Sequence, residues 1–214
     1  STGKFLSYIG DDDYYISNSL DKYLKFLRKH KKFKYILRSY IVKHDNNNTE
    51  HFRYLSKKKI LVAGEKTVAW LFKRSVSICG FTIDRKEAEK LATSDLDGTL
   101  LYQVYLMSGV CLKYKSVYCD IPFSVVRQTF REDISFFGAS EAERKRYIPG
   151  KVLEQNSINF TSSYFEVSNY IDNKYKTDIT PLIRESLSKY SYPFLSIQRK
   201  NGIIPFLKYA NKLE

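Results

Sequence analysis

Thirteen Lys and Arg side chains fall between Lys22 and Lys59 against two acids, Asp45 and Glu50, so this stretch carries +11 of a net +13. Cations at that density make a local field that a polyanion feels, whereas the same charge spread evenly would not. Seven aromatics are interleaved with them: Tyr23, Phe26, Phe33, Tyr35, Tyr40, Phe52 and Tyr54. Phosphate neutralisation beside aromatic rings is the chemistry of nucleic-acid binding, in which each stacked base contributes roughly 1–3 kcal/mol. The candidate contacts are Lys25, Arg28, Lys29, Lys31, Lys32, Lys34, Arg38, Arg53, Lys57, Lys58 and Lys59. The competing reading is a solvated charged face whose aromatics turn inward.

Carboxylates are the second candidate. Ile9-Gly10-Asp11-Asp12 and Asp95-Leu96-Asp97-Gly98 resemble the two acidic helix ends of LAGLIDADG-type homing endonucleases. That resemblance implies a metal-dependent nuclease in which Asp11 or Asp12 works with Asp95 or Asp97 on shared Mg²⁺. Residues 1–8 are short for the first motif helix, and the family's small-residue helix face is missing. Asp95 to Leu100 also spells the DxDGTL nucleophile motif of haloacid dehalogenases. There the first Asp must end a buried apolar strand, whereas Glu87–Ser94 reads as a polar helix; a turn with a helix cap explains these acids better. A calcium loop starting at Thr93 fails because its twelfth position is Val104.

Other chemistries are excluded more simply. His30, His44 and His51 have no set of Cys or carboxylate partners that would complete a zinc shell. Cys79, Cys111 and Cys119 include no CxxC pair, which argues against a zinc ribbon or disulfide framework and for a reducing, intracellular compartment. No glycine-rich phosphate loop and no Ser-His-Asp or Cys-His arrangement occurs, so no cofactor is expected. No apolar run approaches the roughly 20 residues of a membrane span.

The elements that must position these residues follow from periodicity. Leu20, Leu24 and Leu27 predict a helix capped near Asn18 or Ser19. Phe33, Ile36, Leu37, Tyr40 and Ile41 fall out of phase with it across Arg28–Lys32, so a basic turn and a second helix or strand follow. Asp45–Thr49 (DNNNT) is a loop. Ile60–Gly64 is a short strand or helix lead-in, Glu65–Val76 a helix, and Thr82 or Asp84 caps a helix through DRKEAEKLAT. Leu100–Met107 and Val110–Val117, joined at Ser108-Gly109, predict a β-hairpin. Ser124–Phe137 gives a helix or helix–strand piece, and Glu141–Arg146 a short helix ended by Pro149-Gly150. Signals compete over Phe160–Tyr175, Ile179–Tyr190 is helical, and Pro193 and Pro205 punctuate the remainder.

Val68-Ala69-Trp70-Leu71, Arg85-Lys86-Glu87-Ala88, Leu91-Ala92 and Gly98 before an apolar run resemble a DEP domain over roughly residues 58–120. The resemblance implies a winged-helix-like module with a β-hairpin, Trp70 and Leu71 in its core, Gly98 in a turn, and a docking role toward an anionic membrane or an acidic protein. The same stretch is similar to the opening of an SH2 domain, but Gln103 stands where that family's phosphate-binding arginine would fall, which removes the main charge-assisted contact.

The expected fold is α+β. It comprises a basic, mainly helical region at 1–57, a winged-helix/DEP-like module at 58–120 and a mixed α/β region at 121–214, with no clean boundary between them. The expected function is non-catalytic nucleic-acid binding, DNA or RNA, through the basic patch. The alternatives are DEP-like docking to an anionic membrane or acidic protein, and a metal-dependent endonuclease.

Overall fold

Short apolar runs between charged helices resolve into an α+β fold in the computed structural model, which describes residues 2–128, 137–149, 153–189 and 198–213. The chain divides into two units, each gathering two stretches of sequence: Ser1–Ala92 with Leu106–Phe130, and Thr93–Tyr105 with Arg131–Glu214.

In the first unit, in chain order, lie β1 (Phe5–Ser7), β2 (Tyr14–Tyr15), α1 (Leu20–Lys29), β3 (Tyr35–Arg38), β4 (Tyr40–His44), β5 (Thr49–Phe52), β6 (Lys59–Leu61), α2 (Glu65–Phe72), β7 (Phe81–Asp84), α3 (Arg85–Leu91), β8 (Ser116–Cys119) and β9 (Ser124–Gln128). One sheet has the order β1-β7-β3-β8-β6 and the other β2-β9-β4-β5. β1 and β3 both run against β7, and β3 runs with β8, so β1, β3 and β8 share one direction. β6 runs against β8. β1-α1-β3 is therefore a crossover between parallel strands, which needs a helix to return the chain to its starting edge.

The core explains why these runs became strands. β3, β7 and β8 are buried at every position, so their sequences YILR, FTID and SVYC lack an alternating polar face. α1 buries Tyr23 and Leu27 against Phe33, Ile36, Val117, Cys119 and Phe123, with Leu24 and Phe26 packed partly buried beside them and its charged positions exposed. Its end at Lys29 is the phase break seen in the sequence. Ser19 precedes α1 without capping it through its side chain; its hydroxyl donates instead to the Ile16 carbonyl (2.7 Å). Asp84 does cap α3, accepting from the Glu87 amide (3.3 Å).

Two expectations are corrected. Residues 1–57 are not mainly helical: α1 is the helix of that stretch among its described residues, and the strands β1 to β5 together hold more residues than it does. The hairpin over Leu100–Val117 is absent. Tyr102–Lys113 is instead a helix, α4, with its first turn in the second unit and the rest in the first. Every residue from Val104 to Cys111 is buried. A helix apolar all round shows no stripe, so its sequence cannot be told from a buried strand by period. β6, β7 and β8 of the 58–120 stretch complete a sheet with β1 and β3, and Trp70 is only half-buried beneath the Arg74 guanidinium (4.1 Å).

The described second unit is helical: α5 (Glu141–Arg144), α6 (Glu154–Tyr175), α7 (Thr180–Ser188) and α8 (Ile203–Leu213). α5 opens with a capping box between Ser140 and Glu143. Asp172 near the end of α6 accepts from the Thr180 hydroxyl (2.6 Å) and the Ile179 amide (2.8 Å), which fixes the start of α7. The DLDG stretch is a turn: Gly98 has φ +81°, and the buried Thr99 hydroxyl donates to the Leu96 carbonyl (2.8 Å). The part of Ser124–Phe137 beyond Gln128 and before Phe137 lies outside the described residues.

Candidate functional site

Parallel strands deliver their following loops to one edge, and in open α/β sheets that carboxyl edge is where ligands bind. Here the loop after β1 carries Asp11, Asp12 and Asp13, β3 ends at Arg38-Ser39, and β8 ends at Cys119-Asp120.

Asp13 is committed to holding its own loop. Its Oδ2 accepts from the Cys79 thiol (2.6 Å) and the Gly10 amide (3.3 Å), and its Oδ1 from the Arg127 amide (3.0 Å). Burial first, then the hydrogen bond to Asp13, pushes the Cys79 thiol up to about 12, so it is a donor rather than a nucleophile. A Cβ at Gly10 would stand 2.8 Å from Asp13 Oδ2 and 3.0 Å from Asp12 Oδ1, so a larger residue there would have to displace these carboxylates. Asp120 is also spent, on Arg53 Nε (3.2 Å) and the Tyr118 hydroxyl (3.2 Å). Asp11 and Asp12 remain exposed, and their side chains make no hydrogen bond or ion pair among the described residues. Tyr14 and Tyr15, which follow the loop, are exposed as well.

Beneath this edge lies Arg38, fully buried at the end of β3. Its guanidinium donates to Ser124 Oγ (3.3 Å) and the Phe81 carbonyl (3.2 Å) and lies over the Phe123 ring (3.9 Å). Burial lowers its pKa below the usual arginine value. As a surface phosphate contact, Arg38 is therefore withdrawn: it cannot reach a ligand without unpacking the core.

The other basic residues sort into two groups. Lys34 is half-buried and donates to Asp84 (2.9 Å), and Arg53 is held by Asp120. Lys25, Arg28, Lys29, Lys31, Lys32, Lys57, Lys58 and Lys59 are exposed. His30 shows which of these meet: its pKa is lowered by partial burial, then by Lys58, Lys29 and Lys32. The charge of Lys58, distant in sequence, is thus felt at His30, which follows α1. The aromatics did not follow the cations outward. Tyr23, Phe33, Tyr35 and Tyr40 are buried, and Phe26, Phe52 and Tyr54 half-buried, because they form the core that the strands need.

Asp95 and Asp97 belong to the second unit, where Asp95 accepts from the Tyr170 hydroxyl (2.7 Å). Among the described residues no group of three or more His, Cys, Asp or Glu side chains is placed to hold a metal ion unaided. Nor, among them, is any helix long and apolar enough to cross a membrane.

Strand direction is the signal that sequence reading missed. Gly10-Asp11-Asp12-Asp13 was visible, but its place at a shared carboxyl edge was not. A scan with protein-family models finds no match to this chain, and a search of curated proteins finds no significant relative.

Proposed function

We propose that the first unit binds a phosphate-bearing nucleotide at the carboxyl edge of β1, β3 and β8, through a divalent cation held by Asp11 and Asp12. The observation that carries this reading is the loop after β1, in which Asp13 is consumed in fixing the backbone while Asp11 and Asp12 stay exposed. Mg²⁺ is commonly held by one or two carboxylates together with the phosphates of its ligand, so a two-carboxylate site suffices once a phosphate arrives. The cation would screen the carboxylates from the phosphates, and exposed Tyr14 and Tyr15 offer rings to a base. Calorimetric titration with a nucleoside diphosphate should show binding in Mg²⁺ or Mn²⁺ that EDTA abolishes. Asp11→Asn with Asp12→Asn should remove it while leaving the thermal midpoint unchanged. Metal-independent binding of equal affinity in this variant overturns the reading.

A second reading, nucleic-acid binding, is favoured by the convergence of Lys29, Lys32 and Lys58 at His30. With the aromatics largely withdrawn, such binding rests on the phosphate backbone and is insensitive to base sequence. Log affinity for an oligonucleotide should fall linearly with log salt, and Lys29→Glu with Lys32→Glu should flatten the slope by about 2. Failure to bind oligonucleotides, together with anionic-vesicle binding that Lys29→Glu with Lys32→Glu abolishes, overturns it in favour of DEP-like docking.

A further inference from the structure

The described C-terminal residues, Gln198 to Leu213, contain Arg199, Lys200, Lys208 and Lys212 and no acid. α8 is fastened to α6 along one side. Tyr209 is buried and its hydroxyl hydrogen-bonds Thr161 (2.9 Å), while Lys208 reaches Glu154 (3.1 Å). Gln198, also buried, donates to Ser157 (2.8 Å) and fixes the approach to the helix.

The opposite side is apolar and open. Ile203, Ile204 and Leu207 are 67%, 64% and 50% exposed. At 3.6 residues per turn they share an arc of about 100°, centred nearly opposite Tyr209, with Lys208 along its flank. Helix formation alone does not require large aliphatics at three exposed positions on one face, where charged residues are equally good formers. An apolar arc edged by cations is the pattern of a helix lying in a membrane interface, with aliphatics among the acyl chains and cations among the headgroups.

We propose that α8 docks on an anionic lipid surface through Ile203, Ile204 and Leu207, with the exposed Arg199 and Lys200 that precede the helix meeting the headgroup phosphates. Charge complementarity selects this occupant. A second copy packed face to face would set this acid-free, cationic stretch against itself, which costs affinity.

The test is flotation of the protein with vesicles of phosphatidylcholine alone or mixed with phosphatidylserine, across a salt series. Wild-type protein should float with the mixed vesicles and retain part of its binding at high salt, because apolar insertion is not screened. Ile203→Ser with Ile204→Ser and Leu207→Ser should weaken binding about tenfold or more and abolish the salt-resistant part. Arg199→Glu with Lys200→Glu should weaken it at low salt. Lys29→Glu with Lys32→Glu, in the other unit, should leave the salt-resistant part intact. Unchanged vesicle binding by the triple serine variant overturns the proposal. So does a dimer that this variant dissociates without loss of vesicle binding, since the occupant would then be a second copy.

Discussion

The guanidinium of Arg38 lies 3.9 Å from the centroid of the Phe123 ring, and the pair joins the end of β3 to the segment that leads into β9. Tyr23 stacks on the other partner of this contact, with its ring 4.4 Å from that of Phe123. A side chain that sequence reading places on a phosphate is thus part of the core beneath the candidate site.

Arg38→Ala should destabilise the protein by about 3 kcal/mol, from the lost packing volume and the lost guanidinium hydrogen bonds to the Phe81 carbonyl and to Ser124 Oγ, whose hydroxyl keeps its own bond to the Cys79 carbonyl. Arg38→Met, which fills most of the volume and removes a charge with no carboxylate beside it, should cost clearly less. Urea unfolding of the two variants checks the order; equal losses would show that the charge itself is what the core needs.

Asp84 gives acid sensitivity. Burial alone would raise its pKa, but hydrogen bonds from Lys34 and the Glu87 amide, with the charges of Lys34 and Lys4, hold it below the usual carboxylate value. A depressed folded pKa means that this contribution is full above about 3.9, the unfolded value, and disappears as pH falls through the folded one. Asp84→Asn should cost about 1 kcal/mol at neutral pH, and wild type and variant should converge in stability under acid.

His30 titrates in the opposite sense. Partial burial and then Lys58, Lys29 and Lys32 disfavour its protonation. The unfolded chain therefore binds a proton more readily, and stability from this group declines as pH drops below about 6.5. A polyanion bound beside these lysines must raise the His30 pKa, and by linkage its affinity must increase in the same interval. An imidazole NMR titration with and without an oligonucleotide reads this directly; an unmoved His30 would place the polyanion elsewhere.

Gly98 combines two constraints. Its φ of +81° is costly for any side chain, and an added Cβ would stand 2.6 Å from the Ala142 carbonyl oxygen. Gly98→Ala should therefore cost about 2 kcal/mol or more, measurable as a lowered thermal midpoint, with no effect on binding by the first unit.

Local signals in the chain were sufficient for several elements. The leucine spacing and phase break delimit α1, DNNNT gives the turn between β4 and β5, and Asp84 starts α3. These features depend on neighbours a few residues away, so they are written in the sequence itself. The α+β class follows from their mixture, and the basic character of residues 22–59 is a matter of composition.

Everything that depends on partners far along the chain had to await the tertiary structure. Whether Leu100–Val117 was strand or helix turned on burial from all sides, which erases the period. Whether Arg38 met phosphate or Phe123, and whether Tyr23 and Phe33 stacked on bases or on the core, turned on which faces the sheet covered. The shared direction of β1, β3 and β8, which sets Asp11 and Asp12 at a carboxyl edge, comes from long-range pairing. Residue type fixes what a side chain can do; only the pairing of distant strands decides where it can do it.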